Sequence, residues 1–183
     1  DDAGKPFEHI EVVSSLADAK DCTIFIESIV EDLVIKSAFF AKLSEVVSAD
    51  ALIATNTSSL PLNELAKAVE APERFVALHF FNPPARMPLV EVAGAKATSE
   101  MSLRRAAQFC EAIGHSPIHT AGVPGFLVNR LMVPQLLHAM ATLEAGIGTT
   151  SAIDAAMKLG ASDARRRLGC VWRRQGLHEE MKS

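Results

Sequence analysis

Residues 23–30 read Thr-Ile-Phe-Ile-Glu-Ser-Ile-Val, a short and almost continuous apolar run that is rich in β-branched and aromatic side chains. Such a run is typical of a strand that is buried on both faces of a parallel sheet. We therefore predict a central strand at this position. A further β-type segment is predicted shortly before it, over residues 9–13.

The segments that follow alternate between helical and strand patterns. Residues 32–47 predict an amphipathic helix, because one face repeats at helical spacing and the other charges lie on the opposite side. The residues of that face are Leu33, Lys36, Phe40, Leu43 and Val47. Residues 51–55 predict the next strand, and Pro61 falls in the first turn of a short helix that Ser58 or Ser59 would cap. The remaining elements of this part are strands at 74–81, 89–92 and 117–120 and a helix at 99–113. This alternation predicts an α/β fold with a doubly wound, Rossmann-like sheet.

The pattern changes to helices alone beyond Gly122, at residues 125–144 and 152–159. We predict a domain boundary here, between a sheet domain over residues 1–121 and the start of an all-helical domain over 122–161. Residues 162–183 show neither the 3.6-residue apolar period of a helix nor the 2-residue period of a strand. They hold five of the ten arginines in the chain. We expect this end to be a disordered basic tail, and the alternative is a segment that binds nucleic acid or an anionic membrane.

Composition excludes several classes of protein. The chain has 183 residues, of which 49% are hydrophobic and 22% charged, as in an ordinary globular protein, and no apolar run approaches the roughly 18 residues of a membrane span. Its three cysteines are widely spaced and form no ligand pattern with histidine, so we predict neither a disulfide framework nor a metal site. We expect a reducing compartment and a cytoplasmic protein, with a mitochondrial location left open.

One histidine and one glutamate form a candidate acid–base pair. His79 and Glu91 lie on consecutive predicted strands that are joined by the loop 82–88. If the two strands fold back on each other so that Phe81 faces Leu89, then His79 faces Glu91. A carboxylate beside an imidazole fixes its tautomer and raises its basicity, as a general base requires. The alternative for a histidine at a strand end is a structural role.

Small polar groups also follow the predicted strands, in Asn56-Thr-Ser-Ser and Asn82-Pro-Pro, where α/β sheets bind ligands.

Four blocks of sequence resemble the signature blocks of the 3-hydroxyacyl-CoA dehydrogenases in order and spacing. They are Asn56-Thr-Ser-Ser-Leu60, His79-Phe-Phe-Asn-Pro83, Leu89-Val-Glu-Val92 and Pro124-Gly-Phe-Leu-Val-Asn-Arg130. The similarity covers about residues 10–161. Members of that family oxidise the hydroxyl of an L-3-hydroxyacyl-CoA to a ketone and pass the hydride to NAD.

The resemblance implies a role for each matching residue. His79 would take the proton from the 3-hydroxyl, and Glu91 would orient and polarise the imidazole. Ser58 would donate a hydrogen bond to the substrate oxygen, and Asn129 would help to hold the substrate carbonyl. Such donors stabilise charge as it moves between alcohol and ketone.

The resemblance also implies a cofactor site and partners. Glu31 and Lys36 match positions on the nicotinamide-ribose side of NAD, with Asn56 and Ser58 beside them. Without the family, Lys36 is a solvated residue at a helix edge, Glu31 a favourable charge at a helix start and Ser58 a capping residue. The implied partner molecule is an acyl-CoA, with no nucleic acid and no membrane. The parent enzyme would be a homodimer or part of a fused β-oxidation protein.

Two departures from the family lead to further expectations. The Gly-rich turn that cradles the pyrophosphate has no counterpart in this sequence, so we expect an N-terminally truncated fragment that binds NAD weakly. Beyond residue 161 the match stops, and a shifted reading frame is the hypothesis for residues 162–183. The alternative to an enzyme is a catalytically silent relative that keeps the fold for binding or structure.

Overall fold

The computed structural model describes residues 10–161 of the chain. These residues belong to two compact units, of which the first ends at Leu127 and the second begins at Val128. The predicted basic tail, 162–183, lies outside the described residues, as does His9.

The described part of the first unit contains a five-stranded sheet, three α-helices and two short 3-10 turns. The strands are β1 Ile24–Glu27, β2 Leu52–Thr55, β3 Phe75–Phe80, β4 Leu89–Gly94 and β5 Ser116–Ala121. The helices are α1 Leu33–Ser44, α2 Leu62–Ala66 and α3 Glu100–Ala112, and the 3-10 turns are Leu16–Ala19 and Pro72–Arg74. The second unit contains α4 Val128–Glu144 and α5 Thr150–Gly160.

The five strands lie in chain order across the sheet, β1-β2-β3-β4-β5. Every neighbouring pair is parallel except β3 and β4, which are antiparallel and are joined by the loop between them. One antiparallel pair brings His79 opposite Glu91, as the sequence predicts.

Helices cover both faces of the sheet, which confirms the predicted doubly wound fold. Ile53 and Ala77 pack with α1 and α2 through residues such as Phe40 and Leu65. Their neighbours along the strands point the opposite way, because side chains alternate between the faces of a strand. These neighbours pack against α3, in a cluster formed by Leu52, Ala54, Val76, Leu78, Val90, Val92, Ala106 and Cys110.

One strand prediction is wrong in the first thirty residues. Residues 10–13 form no strand, and Val12 is 94% exposed. The apolar run at 23–30 does form β1, which pairs in parallel with β2. The central position of β1 in the sheet stays a prediction, because the described residues contain no strand before it.

The cap predicted for the short helix α2 is also wrong. Pro61 is its N-cap residue, and no side chain caps it. Instead, Thr57 Oγ1 accepts a hydrogen bond from the N–H of Leu60, 3.0 Å away. The side chains of Ser58 and Ser59 are therefore left for other partners.

The long helix of the second unit begins three residues later than predicted. Gly125 and Phe126 have positive φ angles of 81° and 41°, which an α-helix does not accommodate, so α4 begins only at Val128. Neither α4 nor α5 contains a fully buried residue. No helix within residues 10–161 is long and apolar enough to cross a membrane.

Candidate active site

The centre of the candidate site is the pair formed by His79 and Glu91 on β3 and β4. His79 Nδ1 lies 2.7 Å from Glu91 Oε2, and the two residues are 5% and 0% exposed. Glu91 Oε1 accepts a second hydrogen bond, from the N–H of Leu127 at 2.9 Å. An imidazole that donates from Nδ1 to a carboxylate keeps its other nitrogen, Nε2, available as a base.

Ser58 meets that second nitrogen. Its Oγ lies 2.9 Å from His79 Nε2, and the residue is half-buried in the loop that follows β2. Ser58, His79 and Glu91 therefore form one continuous chain of hydrogen bonds, which joins three segments of sequence. A proton acceptor at Nε2 and a hydroxyl donor beside it are the groups needed to deprotonate an alcohol.

Two aromatic rings flank the imidazole of His79. The ring centroids of Phe81 and Phe126 lie 4.6 and 5.4 Å from that of His79. Phe126 is buried in the turn that Gly125 begins, and the N–H of Gly125 donates to the carbonyl oxygen of Ser58 at 3.1 Å. Both rings are thus in contact with the imidazole of His79, which is buried.

Glu31 holds the turn that carries Ser58. Its Oε1 accepts hydrogen bonds from Thr57 Oγ1 at 2.6 Å, from the N–H groups of Ser58 and Ser59 at 2.9 and 3.0 Å, and from Ser59 Oγ at 3.0 Å. Burial raises the pKa of the Glu31 carboxyl, but these hydrogen bonds together outweigh it and bring the pKa below its ordinary value. The carboxylate is thus the stable form of Glu31 at neutral pH.

Lys36 is buried beneath Glu31, which contradicts the alternative of a solvated residue at a helix edge. Its side chain is 1% exposed, and Nζ donates to Glu27 Oε1 at 2.5 Å and to the carbonyl oxygen of Ile29 at 3.3 Å. Glu31 Oε2 lies 3.5 Å from the same Nζ. Lys36 thus lies between two carboxylates.

Sequence reasoning missed three residues of this network: Glu27, Thr55 and Thr57. Each is buried, and Thr55 Oγ1 donates to Glu27 Oε2 at 2.8 Å. A charged residue inside an apolar strand is a signal that could have identified Glu27, because such a residue needs a buried partner. Its partner, Lys36, is nine residues away on α1.

Asn56, just beyond the end of β2, makes hydrogen bonds to the ends of the two neighbouring strands, β1 and β3. Its Nδ2 donates to Ser28 Oγ at 3.0 Å, just beyond β1, and its Oδ1 accepts from the N–H of Phe80 at 2.9 Å, at the end of β3. The carboxyl ends of parallel strands form the ligand edge of an open α/β sheet. Asn56 therefore contributes to the edge at which the sequence predicts a cofactor.

The structure brings together Glu31, Lys36, Asn56, Ser58, His79 and Glu91 within the first unit. Asn129 is the second residue of α4, is half-buried, and belongs to the second unit. Within residues 10–161, no cluster of three or more histidine, cysteine, aspartate or glutamate residues could hold a metal ion.

Two family models match the chain. The NAD-binding domain of 3-hydroxyacyl-CoA dehydrogenase matches residues 1–123, and the C-terminal domain of the same enzyme matches residues 125–163. The chain is 36% identical over 154 residues to 3-hydroxybutyryl-CoA dehydrogenase of Clostridioides difficile, which covers 84% of this chain and 55% of that protein. It is 41% identical over 138 residues to mitochondrial hydroxyacyl-coenzyme A dehydrogenase of Homo sapiens, covering 75% of this chain and 44% of the human protein.

Solved structures agree with the family models. The (S)-3-hydroxybutyryl-CoA dehydrogenase from Ralstonia eutropha superposes with a TM-score of 0.80 at 33% sequence identity, over 82% of this chain and 53% of that one. The chain thus spans about half the length of the curated relatives it matches.

Proposed function

The chain belongs to the 3-hydroxyacyl-CoA dehydrogenase family, and we propose that it carries the acid–base residues for the NAD-dependent oxidation of a 3-hydroxyacyl-CoA to the 3-ketoacyl-CoA. The observation that carries this proposal is the hydrogen-bond chain from Ser58 through His79 to Glu91. A family member that had lost catalysis would have no need to keep a buried imidazole between a carboxylate and a hydroxyl. The human relative's name and the C. difficile relative's name support the same substrate class.

His79 acts as the general base. Its Nε2 accepts the proton of the substrate 3-hydroxyl as the hydride leaves carbon 3. Glu91 keeps Nδ1 protonated and stabilises the imidazolium that forms, because its carboxylate lies 2.7 Å away with both oxygens in hydrogen bonds. When substrate binds, the Ser58 hydroxyl turns from Nε2 and donates to the substrate oxygen instead, which leaves Nε2 free to accept the proton and stabilises charge on that oxygen.

NAD is the cofactor of the proposal, and when bound it supplies the hydride acceptor. The residues at the ligand edge fit a group with sugar hydroxyls, since the side chain of Glu31 is 38% exposed and keeps its charge. Glu31, Asn56 and Ser58 are the residues proposed to contact it. Lys36 is proposed to act through Glu31, because its ammonium group is buried between carboxylates.

Substrate binding and assembly extend the proposal. Asn129 is proposed to bind the carbonyl of the acyl-CoA, and its replacement by alanine should raise the KM for substrate. The parent protein is proposed to be a homodimer or a part of a fused β-oxidation enzyme, as the family resemblance implies.

The test measures NADH formation from L-3-hydroxybutyryl-CoA. It uses the 183-residue chain and a chimera in which residues 10–161 replace the matching segment of the C. difficile relative. His79→Gln should lower kcat by about 10²–10⁴-fold, the usual contribution of a general base. His119→Gln is the matched control, because His119 lies on the exposed side of β5. Equal rates for the parent and His79→Gln would refute the assigned role, and a chimera without NADH formation would refute the proposed function.

A further inference from the structure

Ser58 lies outside the regular structure of the sheet, yet its hydroxyl meets His79 Nε2 at hydrogen-bond distance. β2 ends at Thr55, three residues earlier, and α2 begins only at Leu62. The backbone of Ser58 is held at two points: its N–H donates to Glu31 Oε1, and its carbonyl oxygen accepts from the N–H of Gly125. The direction of the Ser58 hydroxyl therefore depends on contacts made by its turn.

Glu31 supplies most of these contacts. Four donors of the turn formed by residues 57–59 point at one of its oxygens, two of them backbone N–H groups and two of them hydroxyls. We propose that Glu31 is the positioning residue of Ser58, and that its carboxylate fixes the turn so that the Ser58 hydroxyl reaches His79. This inference rests on the proposed function for its catalytic meaning, since Ser58 and His79 are the residues assigned there to the substrate hydroxyl.

The carboxylate of Glu31 is itself fixed from below. Lys36 Nζ lies 3.5 Å from Oε2, the oxygen that the turn does not use, and the side chain of Lys36 is almost completely buried. Glu27, on β1, holds the ammonium group from the other side. Three charged side chains, Glu27, Lys36 and Glu31, are thus in contact one after another between β1 and the turn. Of these three, Glu31 is the one that contacts Ser58.

The length of the Glu31 side chain and its negative charge can be tested separately by substitution. A positioning role requires an oxygen acceptor at the distance that the glutamate side chain provides. Glu31→Gln keeps the length and one oxygen, whereas Glu31→Asp keeps the charge but is one methylene too short to reach the turn. If Glu31 positions Ser58, the glutamine variant should preserve the Ser58–His79 hydrogen bond and the aspartate variant should lose it.

The experiment follows the ring nitrogens of His79 by nitrogen-15 NMR in the full 183-residue chain, without cofactor or substrate. His79→Gln assigns the resonances, and Ser58→Ala defines the Nε2 shift of an imidazole that has lost its serine. Glu31→Asp and Glu31→Ala should move the Nε2 resonance to the Ser58→Ala position, while Glu31→Gln should stay close to the wild-type position. Glu64→Gln is the control, because Glu64 is an exposed carboxylate that bonds Lys67.

Two results would overturn the positioning role. One is an Nε2 resonance that stays at the wild-type position in Glu31→Asp and moves in Ser58→Ala. The other is a Ser58→Ala variant that does not move the resonance at all, because the hydrogen bond to be positioned would then be absent. If Glu31→Ala fails to fold, the aspartate and glutamine variants carry the comparison.

A kinetic measurement separates positioning from a pure cofactor contact. In the chimera, Glu31→Asp should lower kcat by about tenfold, the effect of one well-placed hydrogen bond, in addition to the rise in the KM for NAD that the proposed cofactor contact of Glu31 implies. A rise in the KM for NAD with kcat unchanged would overturn the inference. The NMR readout needs no turnover, so a protein with the expected His79 shifts and no NADH formation would contradict the proposed function and leave the positioning role supported.

Discussion

Glu91 and Glu31 hold the two partners of the Ser58–His79 hydrogen bond in different ways. Glu91 is fully buried and faces His79 across an antiparallel strand pair. Glu31 has a side chain that is 38% exposed, and it holds Ser58 through the backbone and hydroxyls of a turn. One half of the site is therefore fixed by sheet register, and the other by local hydrogen bonds.

The difference shows where the site is vulnerable. A residue fixed by register moves only if the strands separate, because a slip by one residue would place it on the other face of the sheet. A turn that makes most of its hydrogen bonds to one carboxylate depends on the contacts that keep this carboxylate in place. Three changes act on the Glu31 side and should leave the His79–Glu91 pair in place.

The largest effect is expected for Lys36→Met. It leaves the buried carboxylate of Glu27 without its counter-charge, which should lower the free energy of unfolding by about 3–5 kcal/mol. Urea unfolding followed by circular dichroism measures the change. Lys67→Met is the control, because its pair with Glu64 is exposed and should be worth less than about 1 kcal/mol. Similar midpoints for the two variants would show that the buried pair does not support this side of the site.

A smaller effect is expected for Asp32→Ala. Asp32 Oδ1 accepts hydrogen bonds from the N–H groups of Val34 and Ile35, both at 2.9 Å, and so caps the helix that carries Lys36. Removing this cap should cost about 1 kcal/mol in the same unfolding experiment. Glu45→Ala, at the exposed opposite end of α1, should have no destabilising effect, since an acidic residue there opposes the helix dipole. A larger loss for Glu45→Ala than for Asp32→Ala would contradict the capping role.

The smallest effect is the pH dependence that Glu31 contributes. Because the pKa of Glu31 is lower in the folded protein than its ordinary value of 4.5, its ionised form stabilises the fold above that pH. This contribution is lost as the pH falls through the folded-state pKa. The difference in unfolding free energy between wild type and Glu31→Gln should therefore shrink on acidification from pH 5, with Glu64→Gln as the control for net charge. A difference that stays constant or grows would contradict the hydrogen-bonded carboxylate.

The sequence predicts the half of the site that depends on register. Alternating strands and helices predict the two strands and the short loop between them, and the assumption that Phe81 faces Leu89 then places His79 opposite Glu91, which is the observed register. The order of the described strands was not predictable, because strand order depends on tertiary packing.

The half of the site built from a turn was harder to predict. Ser58 and Thr57 are both residues that cap helices, and the sequence does not distinguish them. Thr57 Oγ1 accepts the hydrogen bond from the N–H of Leu60. The Ser58 hydroxyl forms a hydrogen bond with His79 instead. The burial of Lys36 depends on Glu27, a contact between a strand and a helix that periodicity does not report.

The central claim is that His79 and Glu91 act as one acid–base unit, and a double-mutant cycle tests it most directly. The rates of NADH formation are compared for His79→Gln, Glu91→Gln and the double variant in the chimera. Residues that act as a unit are not additive, so the double variant should lose no more kcat/KM than His79→Gln alone. Losses that multiply in the double variant would contradict the claim and show that the two residues act independently.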